Sequence, residues 1–448
     1  MDALHFGTAV RDITPRYPVW AHGYSARTRQ SRGMLEPISL GCLAVSDGKT
    51  RVLIVTLDMI GVRAEVCEDL YALLERETGV GFPYIMIAGS HTHFAPALHA
   101  TTFSSPEIAA VEPDPRYVRE VKAKLVEAAR ESLDGLQPGR LERVRIQAPA
   151  MLFNRRTRMA DGMVHNCLLY PEDPGPYTFS PVDAELTVLR ACDESGVQAV
   201  LANFGCHPVT GCTEEEGHYR VSADYPYYLR QTLADKWHCP VFFTLGAAGD
   251  AVPINRRDDC RQRIGSVLGN TAILAERVYM PDTSTDLAAD AIEIEAETIL
   301  KTDPATASAD YEATRQAALS AGDKQSDSYR ERVGAFRQKM TVYTRACLYP
   351  DNKWRIKAQF IRIGSTVMVG LPFEVVSEIS LKMKAQFPDS VLVSCAGGYQ
   401  GYLPLAYEYD RGGYEASESS THFVPGTADR LLEAILQRLA TDAVERKA

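Results

Sequence analysis

Residues able to do acid–base or metal chemistry recur directly after short apolar runs in this sequence. Residues 52–57 run into Asp58, 84–88 into Gly89, Ser90, His91, Thr92 and His93, and 197–204 into Cys206 and His207. Residues 241–245 run into Gly249 and Asp250, 367–371 into Pro372 and Glu374, and 391–394 into Gly397, Gly398, Tyr399 and Tyr402. If 91–93 is extended, the His91 and His93 imidazoles point to one face and can share a metal, or serve one metal and one proton transfer. With His207 and Glu374 they make a set of two histidines and a carboxylate, leaving one histidine over. Three protein ligands with an open position describe a catalytic zinc site, which activates water and polarises a carbonyl. His93 beside it is a suitable proton acceptor.

Each residue also has a plainer reading. His91 and His93 could cap a strand, His207 could be a satisfied core histidine, and a glutamate at a strand end needs no special role. The convergence carries the argument, because ligands of α/β sheets gather where strands end and loops meet.

The apolar runs read as buried strands, and the stretches 65–77, 117–133 and 225–236 as amphipathic helices between them. The expected architecture is therefore α/β, a mixed β-sheet flanked by helices on both faces. Residues 1–448 read as one domain with a helical insertion at about 305–340, either a lid or a surface hairpin, and a closing helix over 427–445. No regular eight-fold strand–helix repeat supports a barrel of the amidohydrolase kind.

The chain has 448 residues and a formal net charge of -10, which argues against a nucleic-acid partner. No apolar run is long enough for a membrane span. The N-terminus shows no secretion signal, and the ten cysteines include no Cys-x-x-Cys pair. Reduced thiols in the cytoplasm are the expectation, with association into a homo-oligomer left open.

The motifs in order resemble the neutral/alkaline, non-lysosomal ceramidase family. GTAVRDITP (7–15), GSHTHFAP (89–96), NFGCHPVT (203–210), SADYP (222–226), GDAVPIN (249–255), LPFE (371–374) and GYLPLAYEYDRGGYEAS (401–417) each resemble one of its segments. The resemblance implies a neutral-ceramidase-like catalytic domain with zinc ligands at His91, His207, Glu374 and Tyr402. It implies His93 as the second histidine of the pair, Arg155 as a substrate contact and Tyr414 as the catalytic tyrosine. Val252 falls where the family has its active-site serine, and the family's C-terminal β-sandwich and secretion signal have no counterpart.

The resulting expectation is a zinc-dependent hydrolase that cleaves an amide (N-acyl) bond of a small soluble substrate with metal-activated water. His93 takes the proton, Arg155 and Tyr414 orient the substrate or its oxyanion, and Asp58 and Asp250 are candidates to fix the histidine tautomers from behind, structural turn-capping being an equally fair reading of both aspartates. An ester or lactone hydrolase is an alternative, as is a catalytically degenerate ligand-binding protein, which Val252 favours.

Overall fold

Along Arg51–Leu57 (β3), Val52 and Ile54 face one core while Leu53, Val55 and Leu57 face another, and all five are buried. A strand buried on both faces reads as a continuous apolar run rather than an alternation. The computed structural model describes residues 3–210, 215–257, 260–321 and 324–445. It joins β3 to Leu4–Asp12 (β1), Ser39–Ser46 (β2), Ile85–Gly89 (β4), Gln137–Gln147 (β5), Glu185–Cys192 (β6), Val197–Phe204 (β7) and Val241–Leu245 (β8). The order is β8-β7-β6-β5-β1-β2-β3-β4, with Met280–Asp282 paired to β5 as the ninth strand. The two ends, β3 with β4 and β7 with β8, are parallel pairs, and the pairings between them are antiparallel.

A second sheet of four strands holds Leu287–Glu297 (β9), Lys353–Ile363 (β10), Thr366–Gly370 (β11) and Ser390–Val393 (β12), in that order. Its Leu287, Ile361, Ile363, Met368 and Val393 pack against Phe6, Val45, Ile54, Leu201 and Phe242 of the first sheet. Helices cover the outer faces. Ala64–Thr78 (α1) and Pro115–Asp134 (α2) pack on one half of the large sheet, and Tyr225–Trp237 (α3) with Cys260–Leu274 (α4) on the other. Ser377–Gln386 (α7) and Thr427–Glu445 (α8) cover the small sheet. A mixed sheet flanked by helices is thus observed. The further feature is that the inner faces of two sheets meet, giving a layered helix–sheet–sheet–helix core.

The expected insertion is a helical hairpin, Pro304–Leu319 (α5) and Asp327–Leu348 (α6). Asp303 caps the first through Thr306 N (2.9 Å) and Ser326 the second through Tyr329 N (3.1 Å), both favoured N-cap residues. It extends eight residues past the expected end because Phe336, Met340 and Ala346 keep a buried face on α6. Val333, Phe336 and Met340 pack with Ala109, and Arg315 Nε donates to Pro106 O (2.9 Å), so the hairpin is fastened to the body. Among the described residues, no helix is long and apolar enough to cross a membrane.

Candidate metal centre

Leu245 ends β8 and Gly89 ends β4, at opposite edges of the large sheet, yet one segment bridges them. Ser394 N donates to Leu245 O (2.8 Å), and Gly89 N donates to Cys395 O (3.1 Å). This closure brings His91, two residues past β4, to His207, three residues past β7. Their Nε2 atoms lie 3.2 Å apart. Glu374, on the short strand Glu374–Val375, places Oε2 3.1 Å from His91 Nε2 and 3.0 Å from His207 Nε2. His93 Nε2 is 3.3 Å from His91 Nε2.

Every one of the three rings is held from behind by a backbone carbonyl. His91 Nδ1 donates to Ile60 O (2.7 Å), His93 Nδ1 to Gly23 O (3.1 Å), and His207 Nδ1 to Ala248 O. With the proton on Nδ1, each Nε2 presents a lone pair to the common point. Three electron-rich atoms 3.0–3.2 Å apart, with His93 Nε2 3.3 Å from one of them, repel unless a cation sits among them. Tetrahedral zinc with bonds of about 2.0–2.1 Å spaces its ligands by roughly 3.3 Å. The His91, His93 and His207 group is accordingly able to hold a metal ion, and the Glu374 carboxylate lies beside it.

The local backbone is shaped for this. His91 has φ 65°, a left-handed conformation that costs a non-glycine residue energy and must be held in place by its surroundings. Its N–H donates to Met59 O (2.8 Å). Gly23 has φ 109°, and a Cβ there would stand 2.7 Å from the His93 ring, so only glycine lets its carbonyl reach Nδ1.

The electrostatics also call for one cation. Burial acts to lower His91, but the Glu374 carboxylate outweighs it and holds His91 well above the usual histidine range. Burial pushes His207 down to about 4, and pushes His93 well below the usual range with help from His91 and His207. Burial would raise Glu374, but the neighbouring histidines hold it well below the usual carboxylate range. One positive charge, a proton or a metal ion, balances the buried carboxylate.

Tyr402 is the register partner of Glu374 in a parallel strand pair. Its hydroxyl accepts from Arg155 NH2 (2.9 Å) and lies within hydrogen-bonding reach of Glu374. Tyr399 donates its hydroxyl to Glu374 Oε1 (2.8 Å), so the two carboxylate oxygens have separate duties. Arg155 is buried, with Nε on Glu415 Oε1 (2.6 Å) and NH2 also on Gly249 O (3.0 Å). Tyr414 is half exposed, its ring 5.4 Å from that of Tyr402. The Arg155 guanidinium lies 5.5 Å and 5.6 Å from the centroids of those two rings.

Two expectations need correction. Asp58 is engaged by Ser39 and by both terminal nitrogens of Arg230 (2.8 and 2.6 Å), and Asp250 by Ser377 and Asn154 (2.7 Å). Neither touches a histidine, because main-chain carbonyls already fix the tautomers. Asp250 instead ties down Asn154 and accepts Arg155 N at its carbonyl (2.8 Å), so it positions Arg155. Val252 packs in an apolar cluster with Phe153 and Val209.

Sequence reasoning named Tyr399 without giving it a role and passed over Glu415. Tyr399 stands in the polar cluster after β12, the same positional signal that marks the other site residues. Glu415 joins Arg155, Arg156 (2.8 Å) and Asn166 (2.9 Å), a role visible only once the tail is folded back.

The sequence matches no protein-family model and no curated protein. Among solved structures it is similar to a ceramidase complexed with C2, with a TM-score of 0.71 and 16% identity over 96% of this chain and 74% of that one. It is also similar to the neutral ceramidase from Pseudomonas aeruginosa, with a TM-score of 0.70 and 17% identity over 97% of this chain and 73% of that one. The chain therefore has a neutral-ceramidase-like fold.

Proposed function

We propose that this chain, on its neutral-ceramidase-like fold, is a zinc-dependent hydrolase that cleaves the amide (N-acyl) bond of a small soluble substrate. The observation that carries the reading is the convergence of His91 Nε2, His207 Nε2 and Glu374 Oε2 within 3.0–3.2 Å, each ring anchored by a carbonyl. These three residues would hold the metal, with Tyr402 as a weaker fourth ligand. A zinc ion bound there would supply a water of lowered pKa and a Lewis acid for the acyl carbonyl.

The remaining roles belong to the chain. His93 is only half-buried where His91 and His207 are enclosed, and the contact it makes in the cluster is with His91. Its proton sits on Nδ1 against Gly23 O, leaving the Nε2 lone pair to take the proton of the attacking water and pass it to the leaving amine. Arg155 donates to the Tyr402 oxygen, which favours a phenol whose own proton points elsewhere. Tyr414, reachable from solvent beside Tyr402, orients the substrate and faces its developing oxyanion.

Amide is preferred to ester or lactone through the named activity of the structural neighbours, which is analogy. Val252, sealed among apolar side chains, supplies no nucleophile and is what favours a second reading, a ligand-binding protein that has lost catalysis. Free cysteines among the described residues, such as Cys42, Cys67 and Cys206, suit a reducing compartment such as the cytoplasm. The reading is tested by metal analysis followed by a screen of small N-acyl amides and esters. Zinc binding with amide turnover supports it, and zinc binding without turnover of either class leaves the ligand-binding reading.

A further inference from the structure

A cavity of about 200 Å³ is lined by Glu374 and Tyr402 and also by the last turns of α6. His22, Arg63, His99, Arg345 and His422 line it, and Glu374 is the acid among its lining residues. Arg345 is 3% exposed, yet neither terminal nitrogen has a hydrogen-bond partner. Among the described residues no acidic side chain stands within ion-pair distance of it, and Glu418, whose charge it feels, is on the exposed loop beyond. Burial lowers its pKa to about 10, so it remains a cation at neutral pH. His99 is likewise buried with both ring nitrogens unpartnered. Arg63 makes one contact to an acid, 3.9 Å to Glu65.

A buried guanidinium with no partner is costly, and proteins keep one where something arrives to pair with it. Its planar fork matches an oxyanion. We propose that the substrate carries a compact carboxylate, bound by Arg345 with Arg63 and His99 on the side of the cavity that α6 lines. The substrate class is then an N-acyl amino acid or a similar N-acyl acid. This rests on the zinc-hydrolase reading above. In the reaction the oxygen of water adds to the acyl carbon, the C–N bond breaks, and the proton goes to the leaving nitrogen, giving a carboxylic acid and an amino acid. The hairpin's role in this account is to carry Arg345 over the cavity.

The experiment compares N-acetyl-L-alanine, neutral N-acetyl-L-alaninamide and N-acetylphosphoethanolamine. Wild type, Arg345→Met and Arg345→Lys are studied by turnover and, independently, by calorimetric binding. Circular dichroism melting confirms that each variant is folded, and the wild-type comparison stands without them. Wild type is expected to favour the acid over the amide by about 10- to 100-fold, with the preference lost in Arg345→Met and partly kept in Arg345→Lys. Equal handling of acid and amide by wild type would overturn the anion site while leaving the hydrolase intact. Arg345-dependent binding of the acid with no turnover would keep the site and remove the hydrolase. A preference for the phosphate over the carboxylate would overturn the carboxylate assignment.

Discussion

Glu374 and Tyr402 are register partners in a two-residue parallel strand pair, so the carboxylate and the phenol beside it are fixed to each other by backbone. Their side chains inherit a common direction, since paired residues project to the same face. Arg155 then selects the phenol's state by donating to its oxygen.

Tyr402→Phe should keep the zinc, since a weaker fourth ligand adds little to three strong ones, and should lower kcat by about 100-fold with little change in KM, because the hydroxyl acts most strongly on developing charge. Elemental analysis beside steady-state kinetics separates the two effects. Loss of metal in this variant would make Tyr402 an essential ligand instead.

His93→Ala should retain zinc and lose turnover by about 100- to 10,000-fold, as removal of a general base does. A variant emptied of zinc would place His93 among the ligands, which its 3.3 Å approach to His91 also permits geometrically.

Glu415 is fully buried and answers both Arg155 and Arg156. Glu415→Ala leaves two guanidinium groups without their shared carboxylate and should cost about 3–5 kcal/mol in urea unfolding. An unchanged midpoint would mean that the arginines find other partners.

Asp224 caps α3 and is buried against Thr210, and burial raises its pKa to about 6. The folded state therefore holds this proton more tightly than the unfolded chain does. The stability it contributes is complete below about pH 4 and is lost as pH rises through about 6, amounting to about 3 kcal/mol. Urea unfolding of wild type and Asp224→Asn across pH 4 to 7 should show the difference between them moving against wild type as pH rises. Parallel curves would contradict it.

The strands β3, β4, β7, β8, β11 and β12 were legible because burial on both faces leaves uninterrupted apolar runs of strand length. That the covering layer on one side is a second sheet was not, since a buried face reads alike under a helix or a sheet. The convergence of His91, His207 and Glu374 was legible from their place after strands. The carbonyls of Gly23, Ile60 and Ala248 that set the ring tautomers were not, because every residue has a carbonyl and only the fold aims it. Asp58 and Asp250 share the same strand-end position, and the side chains that claim them come from distant segments, Arg230 and Ser377 among them.

The central claim is that His91, His207 and Glu374 hold a zinc ion. Elemental analysis of purified wild type and His207→Ala, after equilibration with zinc and removal of the excess, tests it most directly. About one zinc per chain in wild type, with little in the variant, is the predicted result. A wild-type chain that takes up no zinc, or a variant that binds as much as wild type, would contradict it.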